Sequence, residues 1–135
     1  MTTQTLMDTD YATLWFYPEA GIVHHAFHKY IYGEEFRSVL TLGLEVVQQS
    51  GAQKWLSDDR HASSMPQADY DWAEKHWIEP MIHSGWKYWA VVPPDKLVGR
   101  QSLVRVMEAY AKYGLQVATF DDPTAAYAWL ESVDR

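Results

Sequence analysis

Residues 86–92 read Trp-Lys-Tyr-Trp-Ala-Val-Val, and they are apolar on both alternations of an extended chain apart from Lys87. Side chains of a strand point alternately to the two faces of a sheet, so a strand of this composition is buried on both faces. Helices packed on both faces of a mostly parallel sheet provide that cover. The segment therefore predicts a central strand in an α/β domain.

The segments at the start of the chain predict a hairpin followed by a helix. Residues 11–17 alternate between two sets of side chains with a period of two, which indicates a strand. A Pro-Glu-Ala-Gly turn follows, and residues 22–28 resume the extended pattern. The next apolar stripe has helical spacing from about Gly33 to Gly51. Gly43 lies inside this stripe, which predicts close contact between the helix and the sheet.

Strands and helices alternate through the rest of the chain. Short strands are predicted at residues 54–56 and 115–120, on either side of the central strand in the sequence. A second helix is expected between residues 64 and 85, where Pro80 should bend or break the last turn. A third helix ends at Gly114, which allows the chain to leave the helix.

A final helix begins at Asp122 and Pro123, a strong pairing of N-cap and first-turn residue. The predicted order is β-β-α-β-α-β-α-β-α, an α/β fold with a mostly parallel five-stranded sheet, a leading hairpin and four helices. Residues 1–10 are expected to form a flexible N-terminal tail, and residues 11–135 a single domain.

Composition narrows the classes of function. The chain has 135 residues and no cysteine, which excludes disulfides, thiolate metal sites and a cysteine nucleophile, and suits a cytoplasmic location. Its net charge is −7, with Lys and Arg scattered, so nucleic acid and anionic membranes are disfavoured as partners. No apolar run is long enough for a membrane span, and residues 1–10 lack the features of a signal peptide.

The histidines do not predict a metal site. His24 and His28 lie on one face of the second predicted strand, but strand residues four apart are separated by ~13 Å. They are too far apart to share one ion, and a site needs three or four converging ligands. We therefore expect no metal and no other cofactor.

The loop after the third predicted strand is the best candidate for a ligand-binding site. It contains Ser57, Asp58, Asp59, Arg60 and His61. Ligands of open α/β sheets bind beside the carboxyl ends of strands, and paired carboxylates near a histidine suit acid–base chemistry or Mg²⁺. The structural alternative is that Asp58 caps the loop backbone while Arg60 neutralises Asp59.

Aromatic content is high, with seven Trp and nine Tyr. Most of these rings are expected in the core, but some between the second helix and the sheet are candidates for a pocket that takes a flat apolar ligand. On the first predicted strand, Tyr11, Trp15 and Tyr17 form a row with no helix to cover it, which predicts a homodimer interface. The competing interpretation is that residues 1–10 fold back over this row with Leu6 and Met7.

The element order resembles the STAS fold of anti-sigma-factor antagonists, the SpoIIAA-like group. Three strings are similar to an uncharacterised bacterial branch with STAS/SEC14-type features: Lys-Trp-Leu-Ser-Asp at 54–58, Gly-Trp-Lys-Tyr-Trp-Ala at 85–90, and Phe-Asp-Asp-Pro at 120–123 with Ala-Trp-Leu at 128–130. The resemblance implies a non-catalytic regulatory or binding module that acts through protein–protein contacts. An apolar small-molecule or lipid-binding (SEC14-like) module is one alternative, and an enzyme using the 57–61 loop is another.

The better-known antagonists carry a phosphorylatable serine between the third strand and the second helix. Ser63 and Ser64 occupy that interval, so the resemblance makes them phosphorylation candidates. The Asp and Gly that flank the serines in the family motif are absent, and the loop is longer. A switch by ligand or by phosphorylation is thus an expectation of the resemblance.

Overall fold

A computed structural model describes residues 3–62 and 65–134. The strands are β1 Gln4–Asp8, β2 Ala12–Tyr17, β3 Ile22–Phe27, β4 Lys54–Asp58, β5 Tyr88–Val92 and β6 Gln116–Thr119. The helices are α1 Gly33–Ser50, α2 Gln67–His76, α3 Ile78–His83, α4 Leu97–Ala111 and α5 Pro123–Ser132. None of the helices in this part of the chain has the length and apolar character to cross a membrane.

The sheet is mixed, and its strands lie side by side in chain order from β1 to β6. The pairs β1–β2 and β2–β3 are antiparallel, and the remaining three pairs are parallel. The α/β class and the hairpin of β2 and β3 are confirmed. The prediction of five mostly parallel strands is wrong, because the described residues form six strands in a mixed sheet.

The additional strand is β1, which lies within the segment that we expected to be a tail. It pairs with β2, and its register shifts between Thr5 and Met7. At the bulge, the neighbouring residues Leu6 and Met7 both pack against the core, whereas neighbours in a regular strand point to opposite faces. A bulge breaks the period-two pattern from which strands are identified, so the sequence gives no strand pattern here.

The second predicted helix is broken into α2 and α3 at Trp77, three residues before Pro80. Proline has no N–H, and its ring clashes with the carbonyl four residues earlier in a continuous helix. The break puts Pro80 in the first turn of a new helix, where no intrahelical N–H bond is required. The predicted start of this helix at Ser64 lies outside the described residues.

The two faces of the sheet carry very different layers. We call the face that contains Leu14, His25 and Trp55 face A. It is covered by α1 to α4, which contribute Val39, Ala73, Met81, Leu103 and Tyr110 to one large apolar cluster. Gly43 of α1 confirms the predicted close contact, because a Cβ at that position would overlap the Trp55 ring.

The opposite face, which contains Trp15, His24 and Leu56, is called face B. Of the described helices, α5 packs there, with Ala126 and Leu130 buried against the sheet. The predicted cap of α5 is confirmed, since the Asp122 carboxylate accepts a hydrogen bond of 2.8 Å from the Ala125 amide. Face B thus has a smaller core than face A.

One long-range contact fixes α2 against α1. The N-cap residue of α1 makes no side-chain capping bond, and the Gly33 amide donates instead to both oxygens of Asp69, at 3.2 and 3.0 Å. Asp69 belongs to α2 and is 2% exposed. A carboxylate at a helix N-terminus is favoured by the helix dipole, so Asp69 stabilises the start of a different helix from its own.

Candidate functional site

Strand alternation divides the predicted 57–61 loop between the two faces of the sheet. Ser57 and Asp59 border the interior of face A, whereas Asp58 lies on face B. Asp58 accepts hydrogen bonds of 2.9 Å from both Nε and Nη2 of Arg60, and a third from the Arg60 amide. Arg60 therefore pairs with Asp58 rather than with Asp59, and His61 is exposed to solvent.

The electrostatics of Asp58 are those of a structural ion pair. Burial raises the pKa of this carboxyl, but the hydrogen bonds and charge of Arg60 outweigh burial, so its pKa lies below the ordinary 3.8. A carboxylate held in this way stays ionised near neutral pH. It is suited to fixing the loop and poorly suited to accepting a proton.

On face A, His25, Ser57 and Asp59 form what we call the polar trio. His25 Nε2 lies 2.7 Å from Asp59 Oδ1, and the Trp55 indole N–H donates to His25 Nδ1 at 2.9 Å. An indole nitrogen is a donor only, so Nδ1 of His25 accepts and its Nε2–H donates to Asp59. Trp89 donates in the same manner to Ser57 Oγ at 2.8 Å.

These hydrogen bonds limit the chemistry of the trio. Although Ser57, His25 and Asp59 have the residue types of a hydrolytic triad, the general base of a triad needs a ring nitrogen that can accept the serine proton. Nδ1 of His25 is occupied by the Trp55 donor, and Nε2 carries the proton donated to Asp59. In this arrangement neither ring nitrogen of His25 is free to accept the proton of Ser57.

The polar trio borders a small chamber inside the face A core. The chamber has a volume of about 60 Å³, and its other walls are mostly aromatic and aliphatic side chains, including Trp55, Trp77 and Trp89. The sequence left open whether such rings form the core or a pocket. In the structure these three rings are buried in the core and also line the cavity. Trp86 and Tyr88 belong to different clusters, because β5 begins only at Tyr88 and the alternation of the strand does not extend to Trp86.

A larger groove of about 370 Å³ lies between α2 and α4. Four residues line both the groove and the chamber: Met65, Tyr70, Val106 and Tyr110. Burial raises the pKa of Tyr70, while hydrogen bonds from Ser102 and the Met65 backbone oppose the shift, so its hydroxyl stays protonated near neutral pH. Burial likewise raises the pKa of Tyr110. Neutral rings thus form the partition between the groove and the chamber.

Sequence reasoning missed most of the groove. Tyr70 is spaced three and seven residues before Ala73 and Trp77, which is the helical spacing of one face, so its inward position was available from the pattern. Arg105 and Ser102 gave no such indication, because their approach to α2 depends on contacts between distant parts of the chain. The phosphorylation candidates Ser63 and Ser64 lie outside the described residues.

The predicted interface row does not lie on one face. Trp15 and Tyr17 are half-buried on face B around His24, at ring-centroid distances of 4.5 and 6.0 Å. Tyr11 precedes β2, so the alternation does not extend to it, and it packs against the face A cluster. Leu6 and Met7 also pack there, while Tyr127 of α5 contacts Tyr17 at 5.0 Å. Contacts within the chain therefore cover part of this row.

His24, considered above as a metal ligand, is a buried polar group on face B. Its Nδ1 lies 2.9 Å from the Tyr17 hydroxyl, and its buried Nε2 has no hydrogen-bond partner among the described residues. Burial lowers its pKa from 6.5 to about 4. Nowhere in residues 3–62 and 65–134 are three or more His, Asp or Glu side chains grouped so that they can hold a metal ion.

Comparisons with known proteins returned no match to a protein-family model, to a curated protein or to a solved structure. The six strands formed by the described residues follow chain order without reversal, so this sheet lacks the switch point at which a ligand crevice forms in doubly wound folds. On face A, the groove and the chamber bring apolar walls together with polar side chains.

Proposed function

We propose that this chain is a non-catalytic binding module that takes up a small apolar molecule between α2, α4 and face A. The groove of about 370 Å³ carries the proposal, because it shares four wall residues with an aromatic chamber that ends in the polar trio. Small-molecule sites have typical volumes of ~300–1,000 Å³, apolar walls and a few placed polar groups. The chamber has apolar walls with the polar trio at one end. The groove that leads to it has a mixed wall, in which Met65, Val106 and Ala109 are apolar and Gln67, Glu74, Ser102 and Arg105 are polar.

The hydrogen bonds of His25 support binding over catalysis. Both ring nitrogens have partners, so the ring has no position from which to take a proton from Ser57 or from a substrate. On face B, the Asp58 carboxylate is likewise occupied, because it accepts hydrogen bonds from the Arg60 guanidinium. We therefore interpret this pair as a structural contact. We therefore do not advance the 57–61 loop as an acid–base or metal-dependent active site.

A regulatory role follows if occupancy of the groove changes the surface formed by α2 and α4. The resemblance to SpoIIAA-like, STAS-fold proteins supports an output through protein–protein contacts. Phosphorylation at Ser63 or Ser64, next to the groove residue Met65, is a second way to alter the same surface. A single-domain cytoplasmic protein without cysteine fits this role.

A homodimer through Trp15 and Tyr17 is part of the proposal. Both rings are only half-buried by contacts within the chain. A specific dimer would bury ~800 Å² per subunit. Sedimentation of the intact protein and of Trp15→Lys tests it: we expect a dimer that Trp15→Lys dissociates, and a monomeric intact protein at high concentration contradicts it.

Titration with N-phenyl-1-naphthylamine, a neutral apolar dye that fluoresces in apolar surroundings, tests the binding proposal. We expect saturable binding of about one dye per chain. Ala109 lines the groove on α4, so Ala109→Trp fills the site and should weaken binding by at least about tenfold, or ~1.4 kcal/mol.

The matched control is Ala111→Trp, which adds the same ring to an exposed position two residues further along α4. It should bind the dye like the unmodified protein. Equal binding by the two variants, or binding that does not saturate, contradicts the assignment of the ligand site to this groove.

A further inference from the structure

We infer that the chamber selects a ligand by one neutral polar group that both donates and accepts a hydrogen bond, such as a phenolic or alcoholic hydroxyl, and rejects an anionic head. This inference rests on the proposed function and specifies its ligand class.

The indole donors beside the chamber are already satisfied. Trp55 donates to His25, Trp89 donates to Ser57, and Trp77 donates to the Leu40 carbonyl. His25 is also saturated, since its second nitrogen donates to Asp59. A ligand in the chamber therefore meets few unused polar atoms.

Two unused positions remain on the polar trio. Ser57 Oγ accepts from Trp89, and within the described part of the chain its own O–H proton has no acceptor. Asp59 accepts from His25 through Oδ1, and no side-chain donor among residues 3–62 and 65–134 reaches Oδ2. The trio thus offers a ligand one donor, from Ser57, and one acceptor, on Asp59.

The spacing of the two positions suits a single hydroxyl. Ser57 lies in β4 and Asp59 is the first residue after it, so their Cα atoms are at most ~7 Å apart. An oxygen placed between their side chains can make two hydrogen bonds of about 2.8 Å. It accepts from Ser57 and donates to Asp59, which an ether or a ketone cannot do.

Charge at the chamber disfavours an anion. Asp59 is a wall residue, and no Lys or Arg is among the residues that line the chamber. Arg105 lines only the outer groove. A carboxylate or phosphate in the chamber would be desolvated beside an acidic group without a cation, which is costly. The inference thus favours neutral alcohols or phenols over fatty acids and phospholipid heads.

The volumes define which part of the ligand enters. At about 60 Å³, the chamber is smaller than the ~150 Å³ cavity in which a benzene ring is known to fit. The groove, at about 370 Å³, has room for an aromatic or alicyclic body. We therefore place the body of the ligand in the groove, with its polar group past Tyr70 and Val106 in the chamber.

A matched series of four probes tests this selectivity by calorimetry on the intact protein: naphthalene, 2-methoxynaphthalene, 2-naphthol and 2-naphthoate. We expect 2-naphthol to bind at least about tenfold more tightly than naphthalene and 2-methoxynaphthalene, because they cannot donate to Asp59. 2-Naphthoate should be the weakest. Equal binding of all four overturns the inference and leaves the proposed function standing, as does tighter binding of 2-naphthoate. Binding of none overturns both.

Asp59→Asn tests the residue that we assign to the acceptor. An amide can turn its N–H₂ towards the ligand, so the preference for 2-naphthol over 2-methoxynaphthalene should fall by about tenfold or more. Asp121→Asn, on an exposed loop, is the control that keeps the preference. An unchanged preference in a folded Asp59→Asn variant overturns the assignment. If that variant does not fold, the probe series on the intact protein decides alone.

Discussion

His24 and His25 are neighbours on β3, yet strand alternation turns one towards face B and the other towards face A. They are almost equally buried, at 8% and 4% exposure. His25 has hydrogen-bond partners on both nitrogens, from Trp55 and Asp59. His24 has one, the Tyr17 hydroxyl, and its Nε2 is buried without a partner in the described residues.

The difference shows that partners, more than burial, decide what a buried histidine does. On face A both nitrogens of the ring have hydrogen-bond partners beneath four helices, so the ring stabilises a fixed arrangement of polar atoms. On face B the ring is desolvated without full compensation, and its charged form is disfavoured. Face A therefore holds its histidine through both nitrogens, whereas face B contains a histidine that is sensitive to pH.

The largest expected effect compares a tryptophan from each face. Trp55→Ala should lower the free energy of unfolding by about 4 kcal/mol, because Trp55 is 1% exposed and contacts both α1 and His25. Trp15→Ala, on the half-buried part of face B, should cost about 1 kcal/mol. Urea denaturation of the two variants measures both values. Equal losses would contradict the contrast between the faces.

The second effect is a pH dependence that arises from His24. Its folded-state pKa of about 4 lies below the ordinary 6.5, so between these values the unfolded chain binds more protons than the folded one. The contribution of His24 to the free energy of unfolding is therefore constant above pH 6.5. It should fall by roughly 3 kcal/mol as the pH drops to 4. Urea unfolding at several pH values gives the slope.

The control for this prediction is His24→Phe, which removes the titrating ring and should flatten stability between pH 4 and 6.5. Asp58 does not account for the same slope, because its lowered pKa places its loss of stability below pH 3.8. A slope that persists unchanged in His24→Phe would assign the pH dependence to another group.

His25→Phe sharpens the comparison between the two neighbouring rings. It leaves the Trp55 indole N–H and Asp59 without their buried partner, so we expect a loss of about 2 kcal/mol at neutral pH. His24→Phe removes an unsatisfied nitrogen and should change stability at neutral pH by less than about 1 kcal/mol. Thermal unfolding of both variants is the measurement. A larger loss for His24→Phe would contradict the interpretation of the two networks.

The smallest effect concerns the helix that covers face B. Asp122→Ala removes the hydrogen bond to the Ala125 amide and should cost about 1 kcal/mol. Asp121→Ala changes an adjacent exposed carboxylate that makes no such capping bond to α5, and should be close to neutral. Circular dichroism during thermal unfolding compares them, and identical midpoints for the two variants would contradict the role of the cap.

Local patterns predicted much of the fold. The central strand, the hairpin, the contact at Gly43 and the cap at Asp122 each depend on residues that are close in sequence, and the structure confirms them. β1 was not predicted, because its bulge interrupts the alternation of apolar and polar side chains by which a strand is identified. The break at Trp77 arises from Pro80, but the residue at which the chain relieves the clash is not apparent from the sequence.

The site was less accessible to prediction. The alternation that separates Asp58 from Asp59 is a local property, yet their partners, Arg60 and His25, depend on loop conformation and on strand pairing. The groove is formed by α2 and α4, which are separated in the sequence by α3 and β5. Contacts between helices that far apart in sequence have no local pattern.

The bond between Asp69 and Gly33 makes one backbone proton a reporter of movement in the groove wall. The first N–H groups of a helix have no intrahelical partner and ordinarily exchange with solvent quickly. The Gly33 amide is held by a carboxylate of α2, the helix that also carries Tyr70. Its deuterium uptake therefore follows the detachment of α2 from α1, so any outward swing of this wall is recorded at a residue that does not line the groove.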